Sequence, residues 1–280
     1  MKIKWHYFCT ASPELLNTLE QHAVPSEITP AYQDELLSIP AHLTFDLFED
    51  ESFFSDIRAQ LPEDAVSTPD LCFSDAELQA AQWLTVRGTN LRLEIANPSD
   101  AFYCTEPIDE TRARHRDRTG QPFSLRKPVK WDRQHYFCCA YDLGDDYLFC
   151  RDMAKDVLEE FHCEIQYEPV YSAKTGQPMP DLSFLNLTQV LPREAIRWER
   201  GAEELVCPQC GKTQIDYSGD FQLHASEAAL NSMGNFFRTE AIFGGGSFLS
   251  PIHIVTQALY RALTERGMTR GLRFTPVVLF

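Results

Sequence analysis

The sequence predicts an α+β fold. An acidic N-terminal module (residues 1–110) is followed by a basic linker or loop (residues 111–130) and by a C-terminal module (residues 131–280) with two strand–helix–strand units. Three observations carry this expectation. A strand-like, helix-like, strand-like hydrophobic pattern runs from Tyr147 to Val170 and returns before the C-terminus, ending on Leu272–Val277. Charge is divided unevenly: residues 1–110 hold 20 acidic and 5 basic residues, a balance of −15, whereas residues 111–280 hold 21 and 20, a balance of −1. Residues 104–130 contain Pro107, Gly120, Pro122 and Pro128 with little apolar periodicity, the composition of a connection.

In the N-terminal module, Met1–Cys9 reads as a first strand, with aromatic and β-branched residues alternating with polar ones. Ser12-Pro13-Glu14 is a helix start: an N-cap, a proline whose missing N–H costs nothing there, and an acid in the first turn. Leu15, Leu16 and Leu19 supply its apolar face. Ser74-Asp75-Ala76-Glu77 has the form of a capping box ahead of Leu78, Ala81 and Trp83. Residues 83–95 alternate around Gly88-Thr89-Asn90 and predict a β-hairpin.

In the C-terminal module, residues 134–141 predict a strand, Gly144–Asp146 a turn and Tyr147–Cys150 a short strand. Asp152 is placed to cap a helix whose face holds Met153, Val157 and Phe161, with Ala154 and Leu158 beside them. Glu164–Val170 alternates as a half-buried strand. Near the end, Ser250-Pro251 predicts a helix start, with Ile254, Val255, Ala258, Leu259, Ala262 and Leu263 as its buried stripe. Gly267 stands where a C-cap belongs, and Leu272–Val277 matches Ile165–Val170 in residue type.

Composition excludes several classes. No run of about 18 apolar residues exists, so a membrane span is not expected. The charged start lacks the long apolar region of a signal peptide. Nine cysteines, an odd count with no export signal, point to the cytoplasm and away from a disulfide framework. Most of them sit among apolar residues and read as small buried hydrophobes.

Cys207-Pro208-Gln209-Cys210-Gly211 has the form of a zinc knuckle. Two thiols two residues apart point into one tetrahedral site, and Gly211 permits a positive φ after the second ligand. Structural zinc needs four ligands, and no second C-x-x-C exists in the chain. Candidates to complete the set are His135 with Cys138 or Cys139, His162 with Cys163, and His224, none at a convincing spacing. Half of a zinc site and a metal-free turn are both open readings. A redox pair fits less well, because Lys212–Tyr217 reads as extended where a thioredoxin-like motif opens a helix.

No phosphate loop, nucleophile elbow or H-E-x-x-H is present, and Gly244-Gly245-Gly246 lacks P-loop spacing. The expectation is a binding protein and not an enzyme. The run Arg112, Arg114, Arg116, Arg118, Arg126, Lys127 and Lys130 could contact phosphates. Without aromatic interleaving it reads better as a solvated loop paired with nearby acids.

From about Tyr147 to Phe280 the chain resembles the double-CXXCG motif immunity proteins, antidotes of contact-dependent and polymorphic bacterial toxin systems. The residues that carry the resemblance are Leu148-Phe149-Cys150, Ala154, Leu158 and Ile165–Val170, the CPQCG at 207–211, Asn235–Glu240, and the closing helix and strand. Phe184-Leu185-Asn186-Leu187 after the Pro169-Val170 ending is also similar to a broader group of predicted immunity proteins. The first CXXCG of the family is missing, and residues 1–130 carry no resemblance.

The resemblance implies binding to a cognate toxin domain in the cytoplasm, by steric and electrostatic blocking, with zinc as the candidate cofactor at Cys207 and Cys210. The acids expected to face a basic toxin surface, for which a nuclease fits best, are Asp46, Glu49, Asp50, Glu51, Glu63 and Asp64. The alternative is a zinc-dependent nucleic-acid-binding or regulatory protein. The −15 balance of residues 1–110 opposes it, and no membrane partner is expected.

Overall fold

A computed structural model of the chain describes residues 1–33, 38–89, 92–96, 122–140, 144–198, 203–206, 211–216, 221–244 and 250–280. It is mixed α+β and divides into two compact units: Met1–Glu77 with the Gly219–Phe221 segment, and the rest of Leu78–Phe280.

The first unit is built on β1 (Lys2–Thr10), β2 (Ser26–Thr29), β5 (His42–Phe48) and β6 (Val66–Cys72). They form an antiparallel sheet in the order β2-β5-β1-β6. A short pair, β3 (Tyr32–Gln33) and β4 (Ser38–Ile39), stands apart from that sheet. Alternation along β1 and β5 sends Tyr7, Cys9, Leu43, Phe45 and Leu47 to one face. There they pack with Leu15 and Leu19 of α1 (Pro13–Gln21) and with Phe54 and Ile57 of α2 (Phe54–Arg58). Each fully buried leucine contributes about 1.5–3 kcal/mol, which outweighs the weak helix tendency of segments this short. The Ser12 cap forms as expected, its Oγ accepting the Leu15 N–H at 3.1 Å. The capping box also forms at α3 (Asp75–Ala80): Ser74 Oγ accepts the Glu77 N–H, and Glu77 Oε2 accepts the Ser74 N–H at 2.8 Å.

The second unit holds two large sheets. One runs β8 (Arg92–Leu93), β10 (Phe137–Ala140), β11 (Gly144–Cys150), β13 (Pro178–Leu187), β12 (Ile165–Ser172), β9 (Ser124–Leu125). The other runs β16 (Glu203–Val206), β17 (Thr213–Asp216), β19 (Phe236–Gly244), β20 (Ser250–Thr256), β7 (Trp83–Gly88), β21 (Leu272–Pro276), with β14 (Val190–Leu191) also paired to β19. A small sheet, β15 (Ile196–Arg197), β18 (His224–Ala225) and β22 (Val278–Leu279), completes the unit with a short helix, α5 (Glu227–Leu230).

Both expected strand–helix–strand units are present. The first is β11, α4 (Asp152–Glu160) and β12, and the second is β20, α6 (Gln257–Glu265) and β21. Each is split, because its two strands flank a third that runs antiparallel to both: β13 in the first, β7 in the second. The apolar faces of α4 (Ala154, Val157, Leu158) and α6 (Leu259, Tyr260, Ala262, Leu263) share one core with Leu148 and Leu185 of one sheet and Val86, Val255 and Phe274 of the other.

The compact first unit ends at Glu77, inside the acidic module of residues 1–110. Several expectations for individual elements are corrected. Residues 83–95 form no hairpin: β7 is drawn between β20 and β21, and β8 pairs in parallel with β10. Trp83, Leu84 and Val86 are buried, and one hairpin partner could not have covered both edges of that strand. Gly144–Asp146 is not a turn but the start of β11. Ser250-Pro251 opens a strand and not a helix. The helix starts after Thr256, whose hydroxyl accepts the Leu259 N–H, because Ile254 and Val255 are β-branched and already committed to the sheet. Met153 is 54% exposed and lies off the buried face of α4. Asp152 does not cap α4, since that role falls to Asp181 on β13.

Candidate functional site

The strand alternation that buries one face of the first sheet leaves the other open. Lys2, Lys4, His6 and Phe8 of β1 lie on this open face, between Thr44 and Asp46 of β5 and Val66, Thr68 and Asp70 of β6. His6 is directly opposite Asp46, and Lys4 directly opposite Asp70. His6 Nδ1 lies 2.5 Å from Asp46 Oδ1, and its Nε2 lies 3.3 Å from Asp70 Oδ2. Lys4 Nζ reaches Asp46 at 3.3 Å and Asp70 at 3.7 Å. Two cationic-type and two carboxylate side chains thus form a square across three strands.

Next to this square the face turns apolar. Phe8 stands directly opposite Val66, and the two are 46% and 60% exposed. The Phe8 ring lies 4.5 Å from the His42 ring, centroid to centroid. Below them Asp64 accepts from the Thr10 backbone N–H at 3.2 Å and from the Thr10 hydroxyl.

The acids expected to face a partner do not form one patch. Asp50 sits at the start of β1, 2.7 Å from Lys2 Nζ, and that lysine pulls its carboxyl below the usual range. Glu49 is at the same end, its N–H donating to the Ile3 carbonyl, with Glu51 next in the turn. Asp46 is mid-sheet inside the charge square. Asp64, with Glu63 beside it, is at the far end by Thr10. Lys2 and Thr10 are separated by about 26 Å at the ~3.3 Å rise of a strand. Glu49, Glu51 and Glu63 have no ion pair among the described residues. The sequence reading missed Lys4, His6, Phe8, His42, Val66 and Asp70. The alternation of Lys2, Lys4, His6 and Phe8 against Ile3, Trp5, Tyr7 and Cys9 is the signal that could have found the β1 members.

Cys207 and Cys210 lie outside the described residues. The strands on either side of them are described. β16 and β17 pair antiparallel, with Val206 opposite Thr213, and Gly211 has φ +73°. Among the described residues no group of three or more His, Cys, Asp or Glu converges on a metal position.

The candidate completing residues are spread out. Cys138 and Cys139 are buried on β10, with the Cys138 thiol pushed well up by burial. His135 Nδ1 is 2.8 Å from Asp132. His162 ends α4 in a left-handed conformation, φ +51°, and burial raises the neighbouring Cys163 to about 12. His224 is on β18. Of the basic run, Arg112–Arg118 lie outside the described residues. Arg126 and Lys127 both reach Glu94, each at 3.2 Å.

Fold and site together define a two-unit α+β protein with an open, mixed-charge sheet face. Comparison with protein-family models, with curated proteins and with solved structures found no match to this chain. No helix among the described residues is long and apolar enough to cross a membrane.

Proposed function

We propose that this chain is an immunity protein, which binds a cognate bacterial toxin domain in the cytoplasm and blocks its working surface without chemistry of its own. The observation that carries the reading is the charge of the first unit. Residues 1–77 hold 15 acidic and 3 basic residues, −12 of the whole chain's −16. All three cations are engaged within the unit: Lys2 with Asp50, Lys4 with Asp46 and Asp70, and Arg58 over the Trp5 and Phe54 rings at 5.9 and 6.0 Å. The surplus carboxylates are left to repel nucleic acid and to attract a basic protein surface, such as the phosphate-binding face of a nuclease. The resemblance of residues 147–280 to immunity proteins supports the same reading, as do the strand–helix–strand unit β11, α4 and β12 and the closing helix α6 and strand β21. A zinc ion held in part by Cys207 and Cys210 would brace the β16–β17 hairpin.

The test is co-expression of this chain with the product of the adjacent upstream open reading frame. Protection of growth supports the reading, and toxicity that persists with both proteins present refutes it. Replacing Glu49, Glu51 and Glu63 by glutamine should weaken the complex at low salt more than Asp46→Asn, because Asp46 already has partners. Unchanged affinity at low salt after neutralising all six predicted acids would reject the electrostatic mechanism.

A further inference from the structure

We infer that the Phe8–Val66 end of the open sheet face is the docking point for a basic protein surface that presents one apolar side chain. This names the contact chemistry of the partner, and it rests on the binding reading above only for its biological role.

Phe8 and Val66 are opposite each other on adjacent strands, where side chains stand about 5 Å apart and make one continuous surface. Burying either in water-free contact is favourable, at roughly 25 cal/mol per Å² of apolar area, yet about half of each stays exposed. The His42 ring packed against Phe8 restricts the aromatic side chain, so little rotamer freedom is lost when a partner covers it.

The rim specifies the charge of the occupant. Glu63 and Asp64 come just before Val66 in the chain, and Glu27 lies on β2 opposite Thr44, itself opposite Phe8. Lys2 and Lys4 are towards the other end of β1, and Arg58 stacks on Trp5 of the buried face, so the unit brings no cation of its own to this rim. A second copy of the chain would bring another −12 unit against it, which opposes self-association. The complementary occupant is therefore a protein surface with lysine or arginine around an apolar anchor.

The probes are two synthetic heptapeptides of alternating lysine and arginine, one with a central phenylalanine and one with a central serine. They are titrated into the ¹⁵N-labelled full chain. The phenylalanine peptide should bind at least about tenfold more tightly. It should shift the amides of Phe8, Thr10, Thr44 and Val66. The double variant Phe8→Ser with Val66→Ser, with its amide spectrum otherwise intact, should bind both peptides equally. Met153→Ser, at an exposed apolar site elsewhere, should leave the tenfold difference in place. Equal binding of the two peptides by the unaltered chain would overturn the inference, as would no binding, or shifts centred on Glu49–Glu51. The growth test and the peptide test fail independently: lost protection with intact peptide discrimination rejects the toxin reading alone, and the converse rejects this surface alone.

Discussion

Asp181 caps the helix that begins at Asp152. One of its carboxylate oxygens accepts the Asp152 backbone N–H at 2.9 Å, and the other accepts Arg151 Nε at 2.7 Å. The two residues are 29 positions apart, so the N-terminus of α4 is held by β13 and not by its own sequence. The Arg151 guanidinium is placed in turn by the Trp131 and Tyr136 rings, 5.6 and 6.0 Å away.

Removing that cap should cost about 1–2 kcal/mol, so Asp181→Ala should lower the urea midpoint. Asp181 itself is left-handed, with φ +54°, a conformation that asparagine also tolerates. Asp181→Asn keeps an acceptor for the Asp152 N–H and should lose less than half as much. Equal losses in the two variants would assign the effect to the Arg151 ion pair and not to the cap.

Three helices end in the same way. Ala23, His162 and Gly267 are left-handed, with φ of 53°, 51° and 66°. The next residue in each case donates back to the last turn: Val24 to Leu19, Cys163 to Leu158 and Met268 to Leu263. Only one of the three is the glycine such a position favours. Ala23→Gly and His162→Gly should each raise stability by up to about 1 kcal/mol, whereas Gly267→Ala should lower it by about 1 kcal/mol. Thermal unfolding measures all three. If His162 ligated a zinc held by Cys207 and Cys210, His162→Gly would instead destabilise and lower the metal content of the purified protein.

His253 is buried on β20 opposite Val86, and its Nδ1 has no hydrogen-bond partner among the described residues. Burial, with the nearby Arg238 charge, pushes it down to about 3 from an ordinary 6.5. The folded state therefore refuses a proton that the unfolded state takes up below pH 6.5. Stability from this site is fully present above pH 6.5 and is lost as pH falls towards 3. Each pH unit inside that window is worth up to about 1.4 kcal/mol. Between pH 6 and pH 5, His253→Leu should show a shallower loss of stability than the parent in urea unfolding. Parallel slopes would show that His253 does not carry this acid sensitivity.

Gly271 and Gly176 separate steric from conformational cost. Both have positive φ, 83° and 68°. A Cβ on Gly176 would meet open space, while one on Gly271 would come within 2.8 Å of His135 Cδ2. Gly176→Ala should cost about 1 kcal/mol, and Gly271→Ala measurably more. Adding His135→Ala to Gly271→Ala should recover part of that excess, and a purely additive double variant would refute the clash.

How much was legible follows from the range of the interactions. Ser12, the Ser74–Glu77 box, Gly211 and Gly267 were readable because a cap or a left-handed turn is specified within about five residues. The first strand–helix–strand unit was readable from its periodicity, whereas in the second the strand Ser250–Thr256 read as part of the helix that follows it. The fate of Trp83–Gly88 was not readable. Its alternation pointed to a local hairpin partner, and nothing local indicates that its neighbours are β20 and β21, more than 160 positions away.

The candidate site divides along the same line. The sequence alone determined the α+β class, the helix caps, the excess of acid near the N-terminus and the C-x-x-C at 207–210, all set by composition and short spacing. Only the tertiary structure decided which acids are already spoken for, because pairing between Lys4, His6, Asp46 and Asp70 depends on the register of β1 against β5 and β6. It also decided that Phe8 and Val66 meet on an open face. Exposure is a property of the assembled sheet, and the same alternating strand would look identical in sequence if another layer covered it.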